Sequence, residues 1–430
     1  MTDHVVEHAT CLGCGCACDD ITVVVREDRI VEPERACSLG RLWFGTGAVP
    51  ARVRTEGARD VPLASALDAA ATLLRDAARP LVYLSADISC EAQRTAIAVA
   101  DVLGAMLDSV TSGTAGTGVL AAQRRGRASA TLGEVRNRAD GVVFWGVDPA
   151  IRYPRFASRY APDPVGLYIP AGRRGRVVMA IDVGTDRAPA DADHRVAFTT
   201  DEEVTAIELT RAAVIGRGAG GGSDSLAERT RALADGLRGV RYLAIVVDGE
   251  PVAGRDPRRA EAMLRLVEAL NGPTRCVLVT LRAGGNRSGA DAVMTWQTGY
   301  PMAVDFLRGA PRYRPEDGAA AQLARGEIDT VLVVGSPLAL PDEVRARLGA
   351  AGHRIAIGPR ASESPYETDV AIDTGIAGIH EAGTATRMDD IPLPLRPALR
   401  VPSLCDTAAT LRTLAARLVA GRAARRPEVA

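Results

Sequence analysis

Aromatic side chains supply only 4 % of the 430 residues, and there are five histidines. The core must therefore be packed with small and branched aliphatics, and the histidines (His4, His8, His194, His353 and His380) show no ligand spacing. Net charge is nearly absent: 52 basic against 53 acidic residues leave −1. No overall field draws the chain to nucleic acid or to an acidic membrane surface. No apolar run reaches the roughly 18–20 residues of a membrane helix. Residues 1–10 lack the basic stretch and apolar core of a secretory signal. The expectation is a cytoplasmic protein with reduced thiols, so its eight cysteines point to metal or free thiols rather than disulfides.

An apolar fraction of 47 % and a charged fraction of 24 % are ordinary for a globular chain. Short β-branched runs at 81–85, 141–147, 176–182, 242–248, 276–281, 330–335 and 354–358 suit strands buried on both faces. Amphipathic helical patterns lie between many of them, at 63–77, 91–106, 202–214, 226–237, 257–270 and 342–348. Thr200 with Glu203 reads as a capping box. Alternation of this kind predicts an α/β fold with doubly wound, open sheets. Residues 1–50 hold five of the eight cysteines and read as a separate module, followed by two interleaved α/β domains over 51–400. A flexible loop is expected at 217–225, and 401–430 read as a C-terminal helix with a basic tail that frays from 421.

Cys11, Cys14 and Cys18 follow the spacing C-x2-C-x3-C, and Cys37 comes after 18 further residues. Three thiolates on one loop can wrap three corners of a cubane, and a distant fourth closes it, as in a [4Fe–4S] site. Gly13 and Gly15 let the loop fold back and bring amides toward sulfur. Four thiolates also suit tetrahedral zinc, although zinc ribbons usually present two C-x2-C pairs. A vestigial, unfilled site is the third option. Cys16 breaks the spacing and reads as a spectator; Cys90, Cys276 and Cys405 read as small buried apolar residues.

Longer blocks carry a resemblance. C-x2-C-x3-C-D-D opens the chain. T-L-G-E-V-R-N-R-A-D-G-V-V-F-W-G-V-D-P (131–149), Y-P-R-F-A-S-R-Y (153–160), T-W-Q-T-G-Y-P-M-A-V-D-F-L-R-G (295–309) and G-I-H-E-A-G-T-A-T-R-M-D (378–389) follow in order. Together they resemble the B subunit of formylmethanofuran dehydrogenase, in the molybdopterin oxidoreductase superfamily. The resemblance implies an N-terminal [4Fe–4S] domain and two α/β domains. Those domains bind two pterin guanine dinucleotides around one tungsten or molybdenum. It also implies that the β-barrel ending larger relatives comes from a separate D subunit. In that family CO₂ is reduced to formate at the metal, and an amidohydrolase A subunit condenses formate with methanofuran.

The family's metal ligand is a cysteine or selenocysteine in C-H-G-P-S-x-x-A-x-Q. Here the corresponding segment is T-A-G-T-G-V-L-A-A-Q (114–123). Thr114 stands where the ligand should be, and Ala115 where the histidine should be. A neutral hydroxyl and a methyl replace a soft thiolate and an acid/base group. Arg282, in L-R-A-G-G-N, matches an active-site arginine of the family and could hold a carboxylate such as formate. Gly146 with Asp148, Asp182, and Gly335 with Ser336 end predicted strands, where a doubly wound fold contacts nucleotides. The same residue types also make tight turns and helix caps.

Two functions follow from the resemblance, and a generic dinucleotide-binding α/β protein is the blander third, disfavoured by the specific blocks. One is a B-type scaffold of the bacterial formyltransferase/hydrolase complex, which works without redox chemistry. Its partners would be an amidohydrolase-like A subunit, a C subunit and a formyltransferase D, with neither nucleic acid nor membrane. The other is a working pterin oxidoreductase in which water, sulfide or another side chain replaces Thr114.

Overall fold

The computed structural model describes residues 3–56, 59–217, 225–250 and 255–425. The chain divides into two compact units. The first is formed by residues 1–113 and 284–430, the second by 114–283. Both are mixed α/β. No helix among the described residues is long and apolar enough to cross a membrane.

The first unit is built on a nine-stranded sheet. Its five central strands are parallel, in the spatial order Met106–Ser109, Pro80–Leu84, Thr330–Val334, His353–Gly358, Val370–Asp373. Short antiparallel strands finish both edges. Val82, Leu84, Leu332, Val334, Ile355 and Ile357 alternate onto one face, where they meet helices Leu63–Asp76, Cys90–Leu103, Arg287–Thr298 and Thr407–Arg425. Leu81, Tyr83, Val331 and Val333 point the other way and are also buried. Burial of both faces is why these runs are continuously apolar. The chain moves outward from Pro80–Leu84 in one direction and from Thr330–Val334 in the other, so the strand order reverses between them. Residues 1–50, read as a separate module, fall within this unit but carry their own antiparallel sheet of His4–Ala9, Ile21–Arg26 and Arg29–Glu34.

The second unit holds a five-stranded, wholly parallel sheet ordered His194–Phe198, Val177–Val183, Gly141–Trp145, Tyr242–Asp248, Arg275–Leu281. Here the order reverses between Gly141–Trp145 and Tyr242–Asp248. Helices Glu203–Val214, Ser225–Arg238 and Arg259–Leu270 cover one face. On the other, Phe144 meets Phe156 edge-on, and Phe156 meets Tyr160.

Three expectations are corrected. The helix expected to reach residue 106 ends at Leu103, because Gly104 takes a left-handed cap (φ 67°) and the chain turns into strand Met106–Ser109. The capping box is Thr199 with Glu202, not Thr200 with Glu203. The Thr199 amide donates to Glu202 Oε2 at 2.9 Å, and the Glu202 amide donates to Thr199 Oγ1 at 3.2 Å. Glu203 is turned inward instead, against Trp145 and two arginines. The C-terminal helix runs on to Arg425 rather than fraying from 421. Residues 218–224 of the expected loop and 426–430 of the tail lie outside the described residues.

Candidate functional site

Residues 10–20 loop between the first two strands of the small sheet and carry Cys11, Cys14, Cys16 and Cys18, all buried. The loop closes on itself through Cys11 N–H to Cys18 O (2.9 Å) and Ala17 N–H to Cys14 O (3.1 Å). Cys37, half-buried, precedes helix Ser38–Phe44. A Cβ placed on Gly40 of that helix would stand 3.2 Å from Cys11 Sγ and 4.0 Å from Cys37 Sγ, so a side chain there would crowd the Cys11 sulfur. Burial pushes the Cys11 thiol far above its ordinary range. The Gly13 amide, 3.4 Å from its sulfur, opposes this, while the charges of Cys18, Cys14 and Cys37 add to it. The four cysteines of the motif thus share one local field, and Cys16 is not among the groups acting on Cys11. Among the described residues no group of three or more His, Cys, Asp or Glu side chains could hold a metal ion.

Two segments, L-R-A-G-G-N and 378–389, frame this loop. The Gly285 amide donates to Leu12 O at 2.8 Å, and the Asn286 amide to Ala86 O at 2.5 Å. A Cβ on Gly284 would meet Gly13 O at 2.7 Å, and one on Gly285 would meet Ala86 O at 2.3 Å. The paired glycines let backbone pass against backbone. From the other block, Met388 N–H reaches Gly15 O at 3.2 Å, and Thr386 N–H reaches Asn286 Oδ1 at 2.8 Å. Arg387 grips Asp389 through two nitrogens at 2.6 and 2.9 Å.

Thr114 is the last residue of the short helix Val110–Thr114, and Ala115 is the non-helical residue (φ −127°, ψ 2°) before helix Gly116–Arg125. Both are partly exposed. The segment supplies a hydroxyl and a methyl at this helix break, with no thiol or imidazole.

The other nominated residues gather at strand ends. Gly146, Asp148, Asp182 and Arg282 all lie at the carboxyl edge of the five-stranded sheet, the first two at its reversal point. Gly146 (φ 59°) leaves room for Arg255, whose Nη2 would be 2.6 Å from a Cβ there. Asp148 caps a short helix by accepting from Ala150 N–H at 2.9 Å. Both Asp182 oxygens accept from Arg195 Nη1 at 2.7 Å, and Oδ1 also accepts from Ala188 N–H at 2.9 Å. Burial works to raise its carboxyl, but the Ala188 amide and Arg195 outweigh it and hold it below the usual range. Arg282 is buried and follows directly on strand Arg275–Leu281; the next amide, Ala283 N–H, donates to Glu250 Oε1 at 2.9 Å.

Gly335 (φ 103°) and Ser336 occupy the reversal point of the first unit. Ser336 N–H donates to Asp87 Oδ1 at 2.9 Å, Ser85 Oγ donates to Ser336 O at 3.1 Å, and Ser336 Oγ accepts from Leu338 N–H. Burial raises the Asp87 carboxyl against the pull of the Ser336 amide.

Sequence reasoning missed Asp87, the glycine pair, and Glu203 with its arginines. Glu203 Oε1 accepts from Trp145 Nε1 (3.0 Å), Arg255 Nη1 (2.7 Å) and Arg259 Nε (2.7 Å), while Arg255 Nη2 also reaches Asp186 Oδ2 at 2.5 Å. The adjacent acidic pair Glu202–Glu203 was the available signal, but which of the two turns inward depends on distant residues.

No family model matches the chain. It is 31 % identical over 414 residues to the B subunit of the tungsten-containing formylmethanofuran dehydrogenase 2 of Methanocaldococcus jannaschii, covering 93 % of this chain and 94 % of that one. The Methanococcus maripaludis counterpart is 30 % identical over 416 residues, covering 93 % and 95 %. The B subunit of the formyltransferase/hydrolase complex of Methylorubrum extorquens is 30 % identical over 333 residues, covering 75 % and 84 %. In fold, the chain matches the crystal structure of that complex with methylofuran at a TM-score of 0.70 and 24 % identity, over 86 % of this chain and 99 % of the matched one. The likeness to these relatives, at 31 % and 30 % identity over 93 % of its length, places this chain in the family of formylmethanofuran dehydrogenase and formyltransferase/hydrolase B subunits.

Proposed function

We propose that this chain is the B subunit of a cytoplasmic formyltransferase/hydrolase complex in tetrahydromethanopterin-linked one-carbon metabolism. In it a formyl group passes from the tetrahydromethanopterin carrier to methanofuran and is hydrolysed to formate. The amidohydrolase-like A subunit, the C subunit and the formyltransferase D carry the chemistry, and this chain braces them. The helix break at Thr114 and Ala115 carries the reading. A neutral hydroxyl beside a methyl cannot replace a thiolate ligand, nor move a proton as an imidazole does. The residues present therefore do not fit tungsten or molybdenum. Metal and pterin analysis of the co-purified complex tests this: less than about a tenth of an equivalent of either metal is expected, and a stoichiometric amount would overturn it.

The proposal extends to the cysteine loop, whose donor set is of the chemistry an iron–sulfur cluster takes. Cys11, Cys14, Cys18 and Cys37 would hold a [4Fe–4S] cluster, which supplies one-electron transfer when bound. Their shared field and the Gly13 amide directed at sulfur support this, since amide hydrogen bonds stabilise thiolate ligands. A cubane spreads its thiolates over its corners, whereas a single zinc ion draws them round one point. In a chain without tungsten or molybdenum, such a cluster would brace the cysteine loop.

A second reading has its own support, because the tungsten-containing relatives align over more of the chain (93 %) than the formyltransferase/hydrolase relative does (75 %). On that reading the chain is an active pterin oxidoreductase interconverting CO₂ and formate. Viologen-linked formate oxidation by the intact complex separates the two, and turnover above background would favour this reading.

A further inference from the structure

We infer that the turn at residues 165–168 is a docking surface for another subunit of the assembly, one presenting an apolar recess rimmed with carboxylates. The inference rests on the complex membership proposed above. Val165, Leu167 and Tyr168 are exposed by 60 %, 75 % and 59 %, although they stand in close succession on a held backbone. Gly166 and Ile169 exchange amide-to-carbonyl bonds at 3.1 and 3.0 Å. Tyr168 N–H donates to Asn137 O at 2.9 Å, and Leu167 N–H to Asn137 Oδ1 at 3.1 Å. Arg136 Nε reaches Val165 O at 3.3 Å. Beneath the turn, the buried guanidinium of Arg176 donates to Pro162 O and Pro164 O at 2.8 and 2.7 Å. A side chain on Gly166 could not fit, because its Cβ would stand 2.1 Å from Arg136 O.

An exposed apolar turn that is already ordered loses little entropy when a partner covers it, and it gains the burial of three side chains. Tyr168 beside arginine is also the chemistry of an interface centre, where aromatic and arginine side chains carry most of the binding energy.

The charges select the occupant. The chain contains no lysine, so its surface cations are arginines, whose fork matches carboxylates. Arg136 and Arg138 are exposed and form no ion pair among the described residues, and Arg138 lies over the Tyr168 ring at 5.3 Å. The acids nearest in sequence are Glu134, hydrogen-bonded to the Tyr242 side chain, and Asp140, taken by Arg241 and by the Tyr242 amide. Two exposed arginines beside an aliphatic turn suit an acid-rimmed protein surface, and they are too few to track a nucleic-acid backbone.

The test is co-expression of the full chain with its complex partners, with a tag on one of those partners and the mass of the eluted assembly as readout. The wild-type chain should be retained. Leu167→Asp combined with Tyr168→Ser should lower retention at least about tenfold. Arg138→Glu alone should weaken retention and reduce its dependence on salt, with an unchanged melting midpoint. If the double variant unfolds, Arg138→Glu decides the matter. Variants retained like wild type would overturn this inference and leave complex membership standing. A wild-type chain that joins no partner would overturn the parent reading as well.

Discussion

Gly285 donates its amide hydrogen to the carbonyl of Leu12 across 2.8 Å, with a backbone φ of 89° and no space for a side chain. This bond joins the R-A-G-G-N motif to the cysteine loop through backbone alone. Gly285→Ala should therefore destabilise the chain by roughly 1–3 kcal/mol from its conformation, with a further cost from a Cβ 2.3 Å from Ala86 O. Chemical denaturation would show a lower midpoint, and an unchanged midpoint would mean that the loop does not depend on this contact.

On the proposed reading, the five cysteines within residues 1–50 divide into four cluster ligands and a bystander, Cys16. Serine at Cys11, Cys14, Cys18 or Cys37 should each remove most of the iron and acid-labile sulfide from anaerobically purified protein. Cys16→Ala should keep both. Measured iron per chain distinguishes the five variants, and equal loss at Cys16 would argue against the assignment.

Glu203 is a buried acid holding two arginines and an indole. Glu203→Ala would leave Arg255 and Arg259 without their shared carboxylate in the interior of the second unit. The expected loss is roughly 3–5 kcal/mol, as for breaking a buried ion pair from one side. Thermal or urea unfolding measures it.

Glu381 gives the protein a pH dependence. Burial pushes its carboxyl up to about 8 from an ordinary 4.5, although the Thr407 amide at 2.8 Å and the Thr407 hydroxyl at 2.9 Å pull the other way. Between these values the folded chain keeps a proton that the unfolded chain has released. Stability contributed by this group therefore falls as pH rises from 4.5 to about 8, by at most about 1.4 kcal/mol per pH unit, and then levels off. Glu381→Gln retains an acceptor for Thr407 and should flatten that window. Urea midpoints at about pH 6, 7, 8 and 9 would reveal the difference, and parallel profiles would rule the group out.

The strands that are buried on both faces were legible because nothing but continuous apolar character is required of them; Tyr242–Asp248 matches its predicted span. Strand His4–Ala9 escaped notice because its residues are largely exposed on both sides, which leaves no alternation to read. The helix expected at 91–106 overran into Met106, the first residue of strand Met106–Ser109, since Gly104 marks a stop only when its left-handed backbone is seen. The order of strands within each sheet is a matter of non-local pairing and has no local signal. At the site, the close spacing puts Cys11, Cys14 and Cys18 on one loop, and the structure has them there. The glycine pair and Glu203 were not legible, because their roles are set by Leu12, Ala86, Trp145 and Arg255, far away along the chain.

The second unit is one continuous stretch, residues 114–283, set inside a first unit that is cut in two. During synthesis it can therefore fold in full while its host is still incomplete. Strand Pro80–Leu84 emerges early but lacks its neighbour Thr330–Val334 until the ribosome has passed Val334. Its unpaired edge must survive that interval, so nascent chains stalled before Val334 are where misassembly would begin.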